Sequence, residues 1–200
     1  SLPMLSLLIA MNVNAETASV DPNQWLEAVE DEKALAWVRT QNEDSVDELT
    51  RSGDFKRIQA RTLEILDSDA RIPYVEKMGP HYYNFWRDAA NPRGLWRRTS
   101  LDEYRKAEPA WETVLDLDAL AKAEDKNWVF SGAECLEPEY RRCLMSLSIG
   151  GADATVVREF DTVDKRFVDG GFQVPEGKTR VTWIDADHVL AAREWTPGEV

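Results

Sequence analysis

Hydrophobic positions recur at helical spacing in the first third of this chain and alternate with polar ones afterwards, so two kinds of architecture are expected in succession. Over 21–69, Trp25, Leu26, Val29, Leu35, Trp37 and Val38 supply an apolar face through an acidic stretch. Asp21 can cap a helix and Pro22 suits its first position, where a missing N–H costs nothing. Ser45 and Glu48 have capping-box spacing, a modest sign of a helix start. A second helix is expected from Asp54, carried by Phe55, Ile58, Thr62, Ile65 and Leu66 and ended by Ser68, Asp69 and Pro73.

After Arg71 the period changes. Residues 82–88 form an aromatic strand, 90–94 a turn, and 95–99 its hairpin partner. Ser100 and Glu103 have capping spacing for a short helix, and 118–124 suggests another. Further strands are expected at 111–116, 127–131, 142–148, 154–160, 178–184 and 188–192. Gly150-Gly151 and Asp185-Ala186-Asp187 are turns, while Gly170-Gly171 and Pro175-Glu176-Gly177 mark loops. The pattern is a run of antiparallel hairpins without βαβ alternation. Tyr82, Asn127 and Arg180 open strands at intervals of 45 and 53 residues, and Leu115 and Phe160 lie 45 apart near strand ends. Periods of this size fit four-stranded propeller blades, and 71–200 has room for two of them and the start of a third.

Composition narrows the functional classes. The chain has 200 residues, 43% of them hydrophobic, and eight tryptophans, which imply broad packed surfaces. Its formal charge of −13 repels phosphate backbones, and Arg97-Arg98 and Arg141-Arg142 are only isolated pairs, so nucleic acid is not an expected partner. Cys135 and Cys143 lie eight apart with Pro138 between them; they could bridge neighbouring strands, but two free, buried thiols are the preferred expectation. With two histidines, neither near the cysteines, a zinc site has little support. Residues 2–11 form a short apolar run followed by Asn12-Val13-Asn14-Ala15, which reads as the remnant of a signal peptide within a tail spanning 1–20. A periplasmic or secreted location follows, with the cytoplasm as the alternative. The run is too short to span a bilayer.

Candidate chemistry is sparse. No Gly-x-Ser-x-Gly elbow occurs, and Ser148-Ile149-Gly150 lacks the first glycine. His81 and His188 are read as turn, loop or strand-edge residues rather than bases, although Asp185 and Asp187 lie near the second. Asp116, Asp118, Asp185 and Asp187 are read as caps and turn formers rather than cation ligands. Trp86, Trp96, Trp111 and Trp128 suit packing between blades, with a peptide groove as the sharper alternative; Tyr82, Tyr83 and Arg87 are possible peptide contacts. No catalytic, metal or cofactor-binding residue is assigned.

Several stretches in order, Asp21-Pro22-Asn23-Gln24-Trp25-Leu26-Glu27, Glu30–Val38, Tyr82–Asp88, Asn91–Arg98, Trp111–Asp118 and Ser146–Asp153, resemble the N-terminal region of the prolyl oligopeptidase family of serine peptidases. The resemblance implies a helical segment at 21–70 that wraps onto an α/β-hydrolase domain, followed from 71 to 200 by the first two to three blades of a seven-bladed β-propeller. It implies a parent enzyme several times this length, carrying serine, aspartate and histidine downstream and cleaving short peptides, commonly after proline. None of those catalytic residues maps onto a position here, so this stretch alone is expected to be inactive. A non-catalytic propeller used for binding is the alternative reading.

Overall fold

The computed structural model describes residues 21–193. It contains two units, divided near residue 60. In the first, a 3-10 turn at Gln24–Glu27 precedes helix α1, Glu32–Thr50. The Asp31 carboxylate opens α1 by accepting from the Lys33 and Ala34 amides, and Asp21 instead accepts from Asn23 ahead of the turn. Helix α1 runs unbroken through Ser45, so the Ser45–Glu48 spacing starts no helix: no glycine or proline interrupts the run, and the cap is already supplied upstream. Trp25 meets Trp37 edge-on at 6.2 Å, with Lys33 over the Trp25 ring. Helix α2, Gly53–Asp67, begins where the Ser52 hydroxyl accepts from the Phe55 amide, and its residues cross the unit boundary. Of both helices only Ala34 is buried; Val46, Leu49, Ile58, Leu63 and Leu66 are each more than half exposed.

The second unit holds a four-stranded antiparallel sheet of β1 (Glu76–Met78), β2 (His81–Trp86), β3 (Leu95–Thr99) and β4 (Glu112–Asp116), in that order. The expected hairpin forms, with Tyr82 opposite Thr99 and Trp86 opposite Leu95. Short helix α3, Leu101–Tyr104, is capped by Ser100 as its spacing suggested. Helix α4, Leu117–Glu124, starts one residue earlier than expected, capped by Asp116 through the Ala119 amide.

A second sheet comprises β5 (Trp128–Cys135), β6 (Arg142–Ile149), β7 (Thr155–Asp161), β8 (Arg166–Phe167) and β9 (Gln173–Gly177), with β9 pairing β7. A hairpin of β10 (Thr179–Asp185) and β11 (His188–Arg193) follows. Two expectations are corrected. Pro175-Glu176-Gly177 belongs to a strand, because an edge position with an irregular register tolerates a proline that cannot donate. Cys135 and Cys143 are not free thiols: the β5–β6 register sets them opposite one another, and they form a disulfide.

The core lies between the sheets. Tyr83, Trp96, Val114 and Leu115 of the first sheet meet Trp128, Cys143, Met145, Leu147 and Phe160 of the second, with Leu117 and Ala121 of α4. Phe85 stacks on Phe130 with centroids 4.7 Å apart. Full burial of such side chains is worth roughly 1.5–3 kcal/mol each, so this seam dominates the unit's stability. Because side chains alternate along β6, Leu144 points the other way, joining Val157 and Val174 against Val181, Trp183, Val189 and Ala191. Each sheet thus packs on its successor, as propeller blades do: two blades and the start of a third.

Candidate functional site

Alternation divides the first sheet into two faces. Trp96 enters the core, so Arg97 emerges on the opposite face, directly across from Asn84. The Asn84 carboxamide accepts from Arg97 Nε at 2.9 Å and donates to the Tyr74 carbonyl at 2.8 Å. The Arg97 guanidinium lies 4.3 Å from the centre of the Trp86 ring and 4.2 Å from that of Trp111, clamped between two indole faces. Burial pulls its pKa down to about 10, opposed by the negative charge of Asp88 and reinforced by Arg71. A second guanidinium, Arg71, covers Trp86 at 4.6 Å and is anchored on the Ser68 and Arg87 carbonyls. Trp86 donates to Asp88, which also accepts from Asn91. These hydrogen bonds hold the Asp88 carboxyl below the usual range against the opposing effect of burial. A cavity of about 740 Å³ opens here, bounded by Trp86, Trp111, Tyr104, Pro73, Arg71 and Arg97.

The other singled-out residues have partners elsewhere in the sheets and turns. Trp96 and Trp128 are buried between the sheets, and Trp128 donates to Glu124, whereas Trp86 and Trp111 line the cavity beside Arg97. Tyr82 stacks on Tyr104, Tyr83 is buried with its hydroxyl accepting from Arg98, and Arg87 lies over Phe85. His81 is no loop residue but opens β2, where burial and Arg98 lower its pKa. His188 does begin β11, and its partner is Asp185 at 2.8 Å rather than Asp187. Both members are largely exposed. Ser148 is buried in β6 beside Ser131. Asp116 caps α4, Asp118 accepts from the Arg93 and Gly94 amides, and Asp185 closes its turn on Asp187. Turn and cap bonding accounts for these aspartates.

Arg97 escaped notice in the sequence because it looked like half of an isolated basic pair. The expected pairing of 82–88 with 95–99 contains the signal: it sets Arg97 on the face of Trp86, opposite to Arg98.

The model of the N-terminal β-propeller domain of prolyl oligopeptidase matches residues 9–200. The chain is 45% identical over 98% of its length to the uncharacterized peptidase y4nA of Sinorhizobium fredii, covering 28% of that protein. It is 32% identical over 88% of its length to the uncharacterized peptidase RP174 of Rickettsia prowazekii, covering 26%. Among solved structures, a post-proline cleaving enzyme from Rickettsia typhi superposes with a TM-score of 0.81 and 33% identity, over 89% of this chain and 27% of that one. The chain thus spans about a quarter of the length of the relatives it matches.

Proposed function

The chain belongs to the prolyl oligopeptidase family, as part of its N-terminal β-propeller domain, and from that premise we propose that the protein it contributes to is a serine-type endopeptidase cleaving short peptides after proline. The observation that carries this reading is the match, at a TM-score of 0.81, to an enzyme described as post-proline cleaving. In this reading the two blades and the β10–β11 hairpin form part of a propeller that limits access to short chains. The apolar positions left exposed on α1 and α2 are the docking surface for a catalytic domain.

The test is hydrolysis of a chromogenic Gly-Pro substrate. Full-length protein should turn it over and lose that activity to a serine-directed inhibitor, while residues 21–193 alone should stay at blank. A full-length protein that binds such peptides without cutting them would point instead to a non-catalytic propeller.

Export belongs to the same proposal. A disulfide between Cys135 and Cys143 suits an oxidising compartment, and the apolar run at 2–11, which lies outside the described residues, suits a signal peptide. N-terminal sequencing of mature protein should begin near Glu16; retention of Leu5 to Ala10 would refute it.

A further inference from the structure

We infer that the face of the first sheet carrying Arg97 is the seam at which the propeller ring closes, and that the closing blade, which lies outside this chain, supplies a carboxylate to Arg97. The inference rests on the propeller assignment and not on the cleavage proposed above. Each described sheet packs one face on its successor, the first on the second and the second on the β10–β11 hairpin. A closed ring needs at least four blades, and two and the start of a third are described. The order of packing therefore leaves the opposite face of the first sheet, with Trp86 and Arg97, to the blade that comes last. All four strands of the first sheet come from 76–116, each paired with its chain neighbour. That sheet needs no strand from elsewhere, so side chains make the closing contact.

The arginines of the described seams show what Arg97 lacks. Arg98, buried between the two sheets, has the Glu112 carboxylate at 2.6 Å. Arg142, against Trp183 of the hairpin, has the buried Glu159, and Arg158 reaches Glu124 of α4 at 2.8 Å. Among the described residues Arg97 forms no ion pair with a carboxylate. Asp88 acts on it through charge alone, its oxygens being taken by Trp86 and Asn91. Arg71, bonded to the Ser68 and Arg87 carbonyls, is exposed and can keep its charge in water. Arg97 is instead held between Trp86 and Trp111 with Nε on Asn84, so its fork is oriented before the ring closes. Covering this face removes solvent from the guanidinium, and a buried charge without a counter-charge is strongly destabilising. A closing face that is apolar opposite the two indoles and carries an Asp or Glu opposite Arg97 meets both needs.

Photo-crosslinking of the full-length protein identifies the occupant. Ile72 is exposed beside this face, and its side chain is replaced by p-benzoylphenylalanine. The captured peptide, read by mass, should come from the last blade before the chain leaves the propeller. Absence of that crosslink, whatever else is captured, would overturn the assignment of the face. Hydrogen exchange then identifies the carboxylate. Arg97→Gln in the full-length protein should speed exchange in β2 and β3 at least about tenfold, the usual worth of hydrogen bonds to a charged group. Each Asp and Glu of the captured blade is changed in turn to its amide. One of these changes should match the effect of Arg97→Gln and add nothing to it in the double variant. No effect of Arg97→Gln, or additive effects for every acidic residue of that blade, would overturn the pairing. Neither measurement reads peptidase activity, so an inactive full-length protein would leave the result untouched.

Discussion

Two independent constraints fix the residue that closes the β2–β3 turn. Gly94 has φ of +108°, a backbone conformation that side chains rarely adopt, and a Cβ there would stand 2.5 Å from the Phe85 ring. Gly94→Ala should therefore lower stability by about 1–3 kcal/mol in urea unfolding, whereas Gly53→Ala, with open space and no positive φ, should not. Glu112 poses a different question. It accepts from Arg98 at 2.6 Å and pairs at 2.7 Å with Lys165 of the turn between β7 and β8, and these bonds draw its pKa down to about 2. A depressed folded-state pKa means its contribution is complete above the unfolded value of about 4.3 and vanishes as pH falls through 2. The side chain is 44% exposed, so solvent screens the pair and the contribution is modest. Melting temperature measured against pH should fall less steeply below about pH 4.3 for Glu112→Gln than for the native chain; parallel curves would remove this pair from the acid response. Such roles were invisible in sequence, where Glu112 was one residue of a strand and nothing revealed that a neighbouring blade would deliver Lys165.

Strands and their turns were legible wherever local chemistry sufficed. Alternation and glycine pairs placed β2, β3, β6, β7, β10 and β11 to within a residue or two, because each hairpin is closed by its own turn. Strands β1, β8 and β9 were not: the first two are only three and two residues long, too short to show alternation, and β9 carries a proline on an irregular edge. The disulfide belongs to the same class: only the β5–β6 register, set by the whole hairpin, decides that Cys135 faces Cys143. It closes a loop with a sequence separation of eight, for which chain entropy predicts about 2–3 kcal/mol. Replacing both cysteines by serine should lower stability by about that much, while leaving the sheet's circular dichroism signal in place because the backbone pairing of β5 and β6 is independent of sulfur. Alkylation before and after reduction, read by mass, should show two thiols appearing only on reduction. Thiols alkylated without reductant would restore the free-cysteine reading.

At the scale of the molecule, the two parts differ in what holds them. The sheets share a continuous aromatic seam, and the buried Glu159 adds a polar rivet, pairing with Arg142 and accepting from the Phe172 amide. The helices lack any such seam: Phe55, Ile58, Leu63 and Leu66 stay exposed, and a helix without a packed face is marginal in water. Helical periodicity in the sequence revealed that an apolar face exists but not what covers it, and within 21–193 that face stays exposed. Hydrogen exchange on residues 21–193 should accordingly show strong protection in β2, β3, β5, β6 and β7 and fast exchange along α1 and α2. In the full-length protein the helices should slow by about two orders of magnitude or more, if docking contributes about 3 kcal/mol to holding them closed. Glu159→Ala gives the internal control: Arg142, a third exposed and still bonded to the Ala186 carbonyl, loses its carboxylate partner, which should cost about 1–3 kcal/mol and speed exchange in β6, β7 and 170–174, leaving the helices unchanged. Equal helix protection in both lengths of chain would mean that α1 and α2 close on themselves, and the docking role assigned to their exposed leucines and isoleucines would fall.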